Sequence, residues 1–223
     1  MVTKHFLEGK SDQVLVKICG ITNVADAESA IEAGADALGF NFYAGGKRYI
    51  DLDQERSWIR QLPPATARIA VVVNIELDEA KRLLEDDLFD AIQLHGDESA
   101  SYCESLSKIG KPILKALRIR SRTDFERSRN YPVFGLLFDS FCESEFGGTG
   151  HSFDWTLLRG AEMDKPIILA GGLTPENVTE AVQIVHPYAV DVASGVELNA
   201  RRKDQKKMKN FVTAAKQAGR YLL

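Results

Sequence analysis

The stretch Val14-Leu15-Val16-Lys17-Ile18-Cys19-Gly20, VLVKICG in one-letter code, decides how this chain is read. A short apolar run rich in β-branched residues and closed by glycine has the makeup of a buried strand. Runs of the same kind return at DALGFNF (36–42), RIAVVVN (68–74), FDAIQL (89–94), PILKAL (112–117), VFGLLFD (133–139), PIILA (166–170) and YAVDVA (188–193). Amphipathic segments separate them. Asn23, Asp51, Thr123, Asp154 and Thr174 stand where helix N-caps belong, and Pro175 stands at a first helical position. Strand followed by helix, eight times over, requires parallel strands joined by crossover helices. At 223 residues the expected fold is a closed α/β barrel, a (β/α)8 TIM barrel, as one domain over residues 1–223. A doubly wound open sheet competes less well, because the spacing is even and no GxGxxG turn follows the first run.

The bulk properties exclude several function classes. Apolar residues make up 44% of the chain and charged residues 27%, which suits a soluble protein with a full core. A net charge of -4 argues against a nucleic-acid or anionic-membrane binder. The basic run Arg201-Arg202-Lys203, continued by Lys206, Lys207 and Lys209, has no interleaved aromatics and reads as the solvated face of the last helix. No stretch is apolar for the length of a membrane span, and the first residues carry no signal-peptide pattern, so a cytoplasmic location is expected.

Cys19 poses the chemical question. At a strand end it can be apolar filler, a metal ligand, a disulfide partner or a reacting group. Cys19, Cys103 and Cys142 are an odd set whose spacings match no zinc pattern, so free thiols and no metal are expected. In a barrel, one side-chain parity of each strand faces the interior and the other faces the helices. With Val16 and Ile18 toward the helices, Lys17 and Cys19 point inward. The same alternation turns Asn74, Gln93, His95, Asp139 and Asp191 inward, and Ile92, Leu94, Phe138, Val190 and Val192 outward. A buried Lys17 needs an anion, and Asp191 on the adjacent eighth strand has the right parity. That ammonium is expected to lower the pKa of Cys19.

The inward polar residues gather at the C-terminal strand ends, where barrel enzymes keep their sites. Cys19 and Asp139 end the first and sixth strands on opposite sides of this rim, and a thiol facing a carboxyl suits proton transfer. A core role for Cys19 and a loop-cap role for Asp139 stay open on these residues alone. Gly171 and Gly172 in LAGGL, with Ser194 and Gly195 in DVASGVE, follow the seventh and eighth strands. Glycine turns there let backbone N–H groups approach a phosphate. Arg48, in FNFYAGGKRYI, is a candidate for a substrate anion, and His95 in QLHGDE ends the fourth strand. The glycine-rich FGGTGHSFDW (146–155) is a candidate cover for a ligand.

In order, KICGIT, GFNFYAGGKRYI, VVVN, QLHGDE, LLFDS, GGTGHSFDW, LAGGLTPENV and DVASGVE resemble the phosphoribosylanthranilate isomerase family of tryptophan biosynthesis. The resemblance runs from Val14 to Gly195 and loosely into the last helix. It implies a (β/α)8 barrel and a cofactor-free Amadori rearrangement of N-(5-phosphoribosyl)anthranilate. Cys19 would be the general base and Asp139 the general acid. Gly171, Gly172, Ser194 and Gly195 would hold the phosphate of a small phosphoribosyl substrate, Arg48 would read the anthranilate, and His95 would line the site. No cofactor, nucleic acid or membrane is expected, and the chain would act as a monomer or homodimer. Ala44-Gly45-Gly46 replaces the family's Pro-x-Ser, which predicts a looser Arg48 loop. Asn199-Ala200-Arg201 replaces a Pro-Gly that commonly follows GVE. The sister sugar isomerase of histidine biosynthesis shares the phosphate turns but usually carries aspartate at the position of Cys19. A non-catalytic phosphosugar-binding barrel is the alternative of another class.

Overall fold

The computed structural model describes residues 5–139, 154–160 and 162–220. Eight parallel strands close on themselves in sequence order. They are β1 (Leu15–Cys19), β2 (Ala37–Asn41), β3 (Ala67–Val72), β4 (Ala91–Leu94), β5 (Ile113–Arg118), β6 (Gly135–Asp139), β7 (Ile167–Leu169) and β8 (Ala189–Val192). All eight expected strands are present, with ends displaced by a residue or two. The crossovers are α1 (Val24–Glu32), α2 (Leu52–Gln61), α3 (Leu77–Glu85), α4 (Ala100–Ser107), α5 (Arg122–Ser128) and α6 (Val178–Val185), and α7 (Gln205–Arg220) ends the fold. Among the described residues, only a 3-10 turn, Trp155–Leu158, stands where a helix was expected before β7.

Helix starts follow local side-chain chemistry. Asn23 and Asp51 cap α1 and α2, accepting from the N–H groups of Asp26 and Asp53. Asp154 caps the 3-10 turn through Thr156. The cap of α5 is Ser121, which accepts from Asp124 N at 3.2 Å, so Thr123 lies inside the first turn. Thr174 and Pro175 belong to a turn ahead of α6, where Thr174 N donates to Asn177 Oδ1 at 2.8 Å.

Side-chain parity divides the core in two. Leu15, Ala37, Ile69, Leu114, Leu137 and Ile168 pack inside the barrel, and Phe6, from the 3-10 turn His5–Leu7, packs with them beside Tyr188 and Phe134. The opposite parity, including Val16, Ile18, Ile92, Leu94, Phe138, Val190 and Val192, packs against the helices. Each large side chain buried there is worth about 1.5–3 kcal/mol. The expected directions match, with one correction. β3 ends at Val72, and Asn74 adopts a left-handed backbone, φ 50°. Its side chain accepts from Asp97 N at 2.7 Å instead of facing the interior, where Ile69 packs in the core and Val71 and Val73 line the cavity.

The basic run after β8 is also corrected. β9 (Glu197–Asn199) and β10 (Arg202–Lys203) form an antiparallel hairpin, and α7 starts only at Gln205. Lys203 is buried, and Arg201 Nη1 donates to the carbonyl of Tyr49 at 2.8 Å. Arg201 and Lys203 tie the hairpin to the barrel rim, while Lys206, Lys207 and Lys209 lie exposed on α7 as expected.

Candidate active site

At the top of β1 the alternation that buries Leu15 also turns Lys17 and Cys19 inward. Lys17 pairs in register with Asp191 on β8, and its Nζ donates to Asp191 Oδ1 at 2.9 Å. Burial opposes the charge on Lys17, but Asp191 and then Cys19 hold the ammonium above its ordinary pKa. Cys19 is half-buried on the cavity wall and carries no disulfide. Burial pushes its thiol up, and the pull of Lys17 only partly offsets that, with Asp191 adding to the rise. The expected lowering is therefore not found: desolvation outweighs a cation whose own charge is already balanced by Asp191. Gly39, opposite Cys19 in the β1–β2 register, makes room for both groups. A Cβ there would lie 2.8 Å from Cys19 Sγ and 3.0 Å from Lys17 Nζ.

Asp139 ends β6 and is buried. His95 Nε2 lies 3.3 Å from Asp139 Oδ2. On the other side of the ring, Gln93 Nε2 sits 2.8 Å from His95 Nδ1. The ring therefore presents its Nε2 edge to the carboxylate and its Nδ1 edge to the Gln93 amide. Gln93 thus orients the histidine that holds Asp139, a role its inward parity alone did not reveal.

The loop after β7 turns on Gly171 and Gly172, both with positive φ, at 81° and 66°. Asn177 braces it, donating to Gly172 O at 2.9 Å while accepting from Thr174 N. Ser194 opens a 3-10 turn after β8, Ser194–Val196. Gly171, Gly172 and Ser194 line the same cavity as Cys19 and Asp139. Gly195 is not among its lining residues. A Cβ on Gly195 would collide with the carbonyl of Leu173, so this glycine lets the two turns pack together.

Arg48 reaches the cavity from the loop after β2. That loop is more tightly built than its glycines suggested. Asn41 Oδ1 accepts from Tyr43 N, Gly46 N donates to Tyr43 O, and Ile50 N returns to Asn41 O. A Cβ on Gly45 would lie 2.8 Å from the Tyr43 ring, and one on Gly46 would lie 2.9 Å from Asn41 Nδ2, so both glycines serve close packing. The Arg48 guanidinium holds Glu197 in a two-point contact, Nε to Oε1 at 2.7 Å and Nη2 to Oε2 at 2.8 Å. Neither Glu197 nor Lys203 was expected near the site. Cys142 and residues 146–153 of the expected cover lie outside the described residues.

Together these elements line one cavity, open to solvent at the strand C-termini, the usual place for a barrel's ligand. It offers a thiol, a carboxyl held by histidine, an arginine and two glycine-bearing turns. Among the described residues, no group of three or more His, Cys, Asp or Glu side chains is arranged to hold a metal. No helix among them is long and apolar enough to cross a membrane.

Several known proteins are similar to this chain in sequence and fold. The profile of the family N-(5'phosphoribosyl)anthranilate (PRA) isomerase matches residues 16–214. The N-(5'-phosphoribosyl)anthranilate isomerase of Geotalea daltonii is similar at 46% identity over 202 residues, 91% of this chain and 96% of the relative. The crystal structure of phosphoribosyl anthranilate isomerase from Thermotoga maritima superimposes with a TM-score of 0.84 at 39% identity, covering 92% of this chain and 99% of that one. A crystal structure of the isomerase in complex with reduced 1-(o-carboxyphenylamino)-1-deoxyribulose 5-phosphate superimposes with a TM-score of 0.80, at the same 39% identity and with the same coverage of each chain.

Proposed function

This chain belongs to the N-(5'-phosphoribosyl)anthranilate isomerase family, and we propose that Cys19 and Asp139 perform its acid/base chemistry at the barrel mouth. The reaction is the Amadori rearrangement of N-(5'-phosphoribosyl)anthranilate to 1-(2-carboxyphenylamino)-1-deoxyribulose 5-phosphate, in tryptophan biosynthesis. The observation that carries the assignment of residues is that one cavity is lined by Cys19, Asp139, Arg48 and both glycine-bearing turns.

Asp139 gives a proton to the ribose ring oxygen as its bond to C1′ breaks, and the nitrogen lone pair forms the C1′=N bond of a protonated Schiff base. The Cys19 thiolate then takes the proton on C2′. The C–H electrons become the C1′=C2′ bond and neutralise the nitrogen, giving an enolamine. Loss of the C2′ hydroxyl proton and protonation at C1′ yield the ketone, with no atom gained or lost. A thiol pushed up by burial is rarely ionised near neutrality but is a stronger base when it is, and these two effects oppose each other in the rate. Lys17 beside the thiol offsets part of the cost that burial puts on the thiolate.

The phosphate lies against the turns of Gly171, Gly172 and Ser194, with Gly195 keeping them together. Arg48 takes the anthranilate carboxylate at the other side of the mouth, and His95 keeps Asp139 in place. The sugar is then stretched between acid and base, which is how binding at remote groups serves the reacting centre. The enzyme works in the cytoplasm, where free thiols persist.

The test is to incubate purified protein with N-(5'-phosphoribosyl)anthranilate and resolve substrate from product by chromatography, since the two are isomers of equal mass. Conversion to the ketose without added cofactor, at a rate proportional to enzyme, is the expected result. Binding without turnover, or a preference for the phosphoribosyl substrate of histidine biosynthesis, would overturn the reading.

A further inference from the structure

Glu197 sits in β9, outside the eight barrel strands, and is not among the residues that line the cavity. Its side chain is 6% exposed, an unusual depth for a carboxylate, so its partners must account for it. Arg48 grips both oxygens, and Lys203 Nζ donates to Oε1 at 2.7 Å. Burial pushes the carboxyl up, but the hydrogen bond from Arg48 and the charge of Lys203 more than offset this and hold it below its usual pKa. The Lys203 ammonium also donates to the carbonyls of Cys19, at 2.6 Å, and Ala193, at 3.1 Å. The stem of Arg48 is constrained as well, because it passes through the space that a Cβ on Gly20 would fill. Gly20 has a φ of 73°, so the backbone there also favours glycine.

Two cations thus share one buried carboxylate, and the chain ends of β1 and β8 are tied to the same cluster. A guanidinium has two forked edges in one plane, so a carboxylate held on one edge fixes the direction of the other. We infer that Glu197 is the positioning residue for recognition of the substrate carboxylate: it sets the plane of Arg48 at the cavity edge, and Lys203 anchors it to the rim. The inference rests on the reading of Arg48 as the partner of the anthranilate carboxylate.

Glu197→Gln isolates the effect. The glutamine oxygen can still accept from Arg48 Nε and Lys203, but its NH2 group meets Arg48 Nη2 donor to donor and opens the fork. The KM for N-(5'-phosphoribosyl)anthranilate should rise about tenfold, with kcat within about threefold of the parent, as expected for loss of a charge-assisted contact made in both ground and transition states. Preference for this substrate over an aniline analogue lacking the carboxylate should fall by the same factor. Glu197→Gln/Lys203→Met removes a buried cation together with its anion, guards against a folding defect in the single variant, and should show the same lost preference. Arg48→Lys serves as the reference. If Arg48→Lys keeps the preference, the reading of Arg48 fails and takes this inference with it. If Arg48→Lys loses the preference and the Glu197 variants keep it, only the inference about Glu197 falls. A lowered KM in Glu197→Gln would show that Glu197 competes with substrate for Arg48, and failure of both Glu197 variants to fold would make it a folding residue; either result overturns the inference.

Discussion

Replacing Gly39 by alanine should displace Cys19, the proposed base, with little change to the rest of the barrel. The added Cβ would lie 2.8 Å from Cys19 Sγ, 3.0 Å from Lys17 Nζ and 3.2 Å from Cys19 Cα. Ordinary contacts of this kind fall at about 3.5–4.0 Å, so the sulfur and the ammonium must each retreat by roughly 0.5–1 Å. The strand cannot easily yield instead, because the Gly39 carbonyl accepts from the N–H groups of both Gly20 and Ile21, at 2.9 and 3.0 Å. Lys17 is held by Asp191, which leaves the larger share of the movement to the thiol. Misplacement by about 1 Å at a reacting atom costs on the order of 10²-fold in rate, and overpacking costs about 1–3 kcal/mol in stability. The assay pairs kcat with a thermal melt and with substrate affinity measured by titration. A fall in kcat of about 10–10²-fold, with affinity changed far less, is the expected outcome. A variant that loses stability while keeping kcat within twofold would show that the clash is absorbed away from the thiol, and the reasoning would fail.

Four further outcomes follow from the same structure. As the proposed base, Cys19 would act as the thiolate, which exists above its pKa, and that pKa is raised; kcat/KM should therefore climb with pH through the alkaline range, above an ordinary thiol. Lys17→Met removes the cation that pulls the thiol down and should move this limb to still higher pH, which a pH–rate profile reads directly. Burial raises the pKa of both thiols, but Cys103 is fully buried in α4 whereas Cys19 is half-buried on the cavity wall, so alkylation should reach Cys19 before Cys103, as peptide mapping would show. Gly195→Ala forces a side chain against the Leu173 carbonyl, whereas Gly172→Ala incurs the left-handed backbone cost of about 1–2 kcal/mol, so melting should show the larger loss for Gly195→Ala.

Much of this was readable from the chain because barrel strands impose a rule on it. Once VLVKICG is a strand, period-two alternation places Lys17 and Cys19 on one side, and adjacency of the first and last strands brings Asp191 to Lys17. Gly39 carried a usable signal that was passed over: an inward-facing residue without a side chain, opposite Cys19 in register. Glu197 and Lys203 carried none of that kind. They lie beyond the eighth strand, in a hairpin that obeys no barrel periodicity, and their partner Arg48 is 149 positions from Glu197. The cap of α5 was misplaced because Ser121 and Thr123 are both good cap residues, and only the helix backbone decides that Asp124 N meets Ser121. The direction of the Cys19 shift was missed because a nearby cation is visible in a sequence and the depth of desolvation is not.

The measurement that bears most directly on the account is the single-turnover rate of Cys19→Ala on N-(5'-phosphoribosyl)anthranilate, taken with the affinity of the same variant for substrate. Arg48 and the glycine turns do not depend on the thiol, so affinity should persist. The rate should fall by at least ~10²-fold, the usual scale for losing a general base. A rate within threefold of the parent enzyme would contradict the assignment of Cys19 as the group that takes the proton.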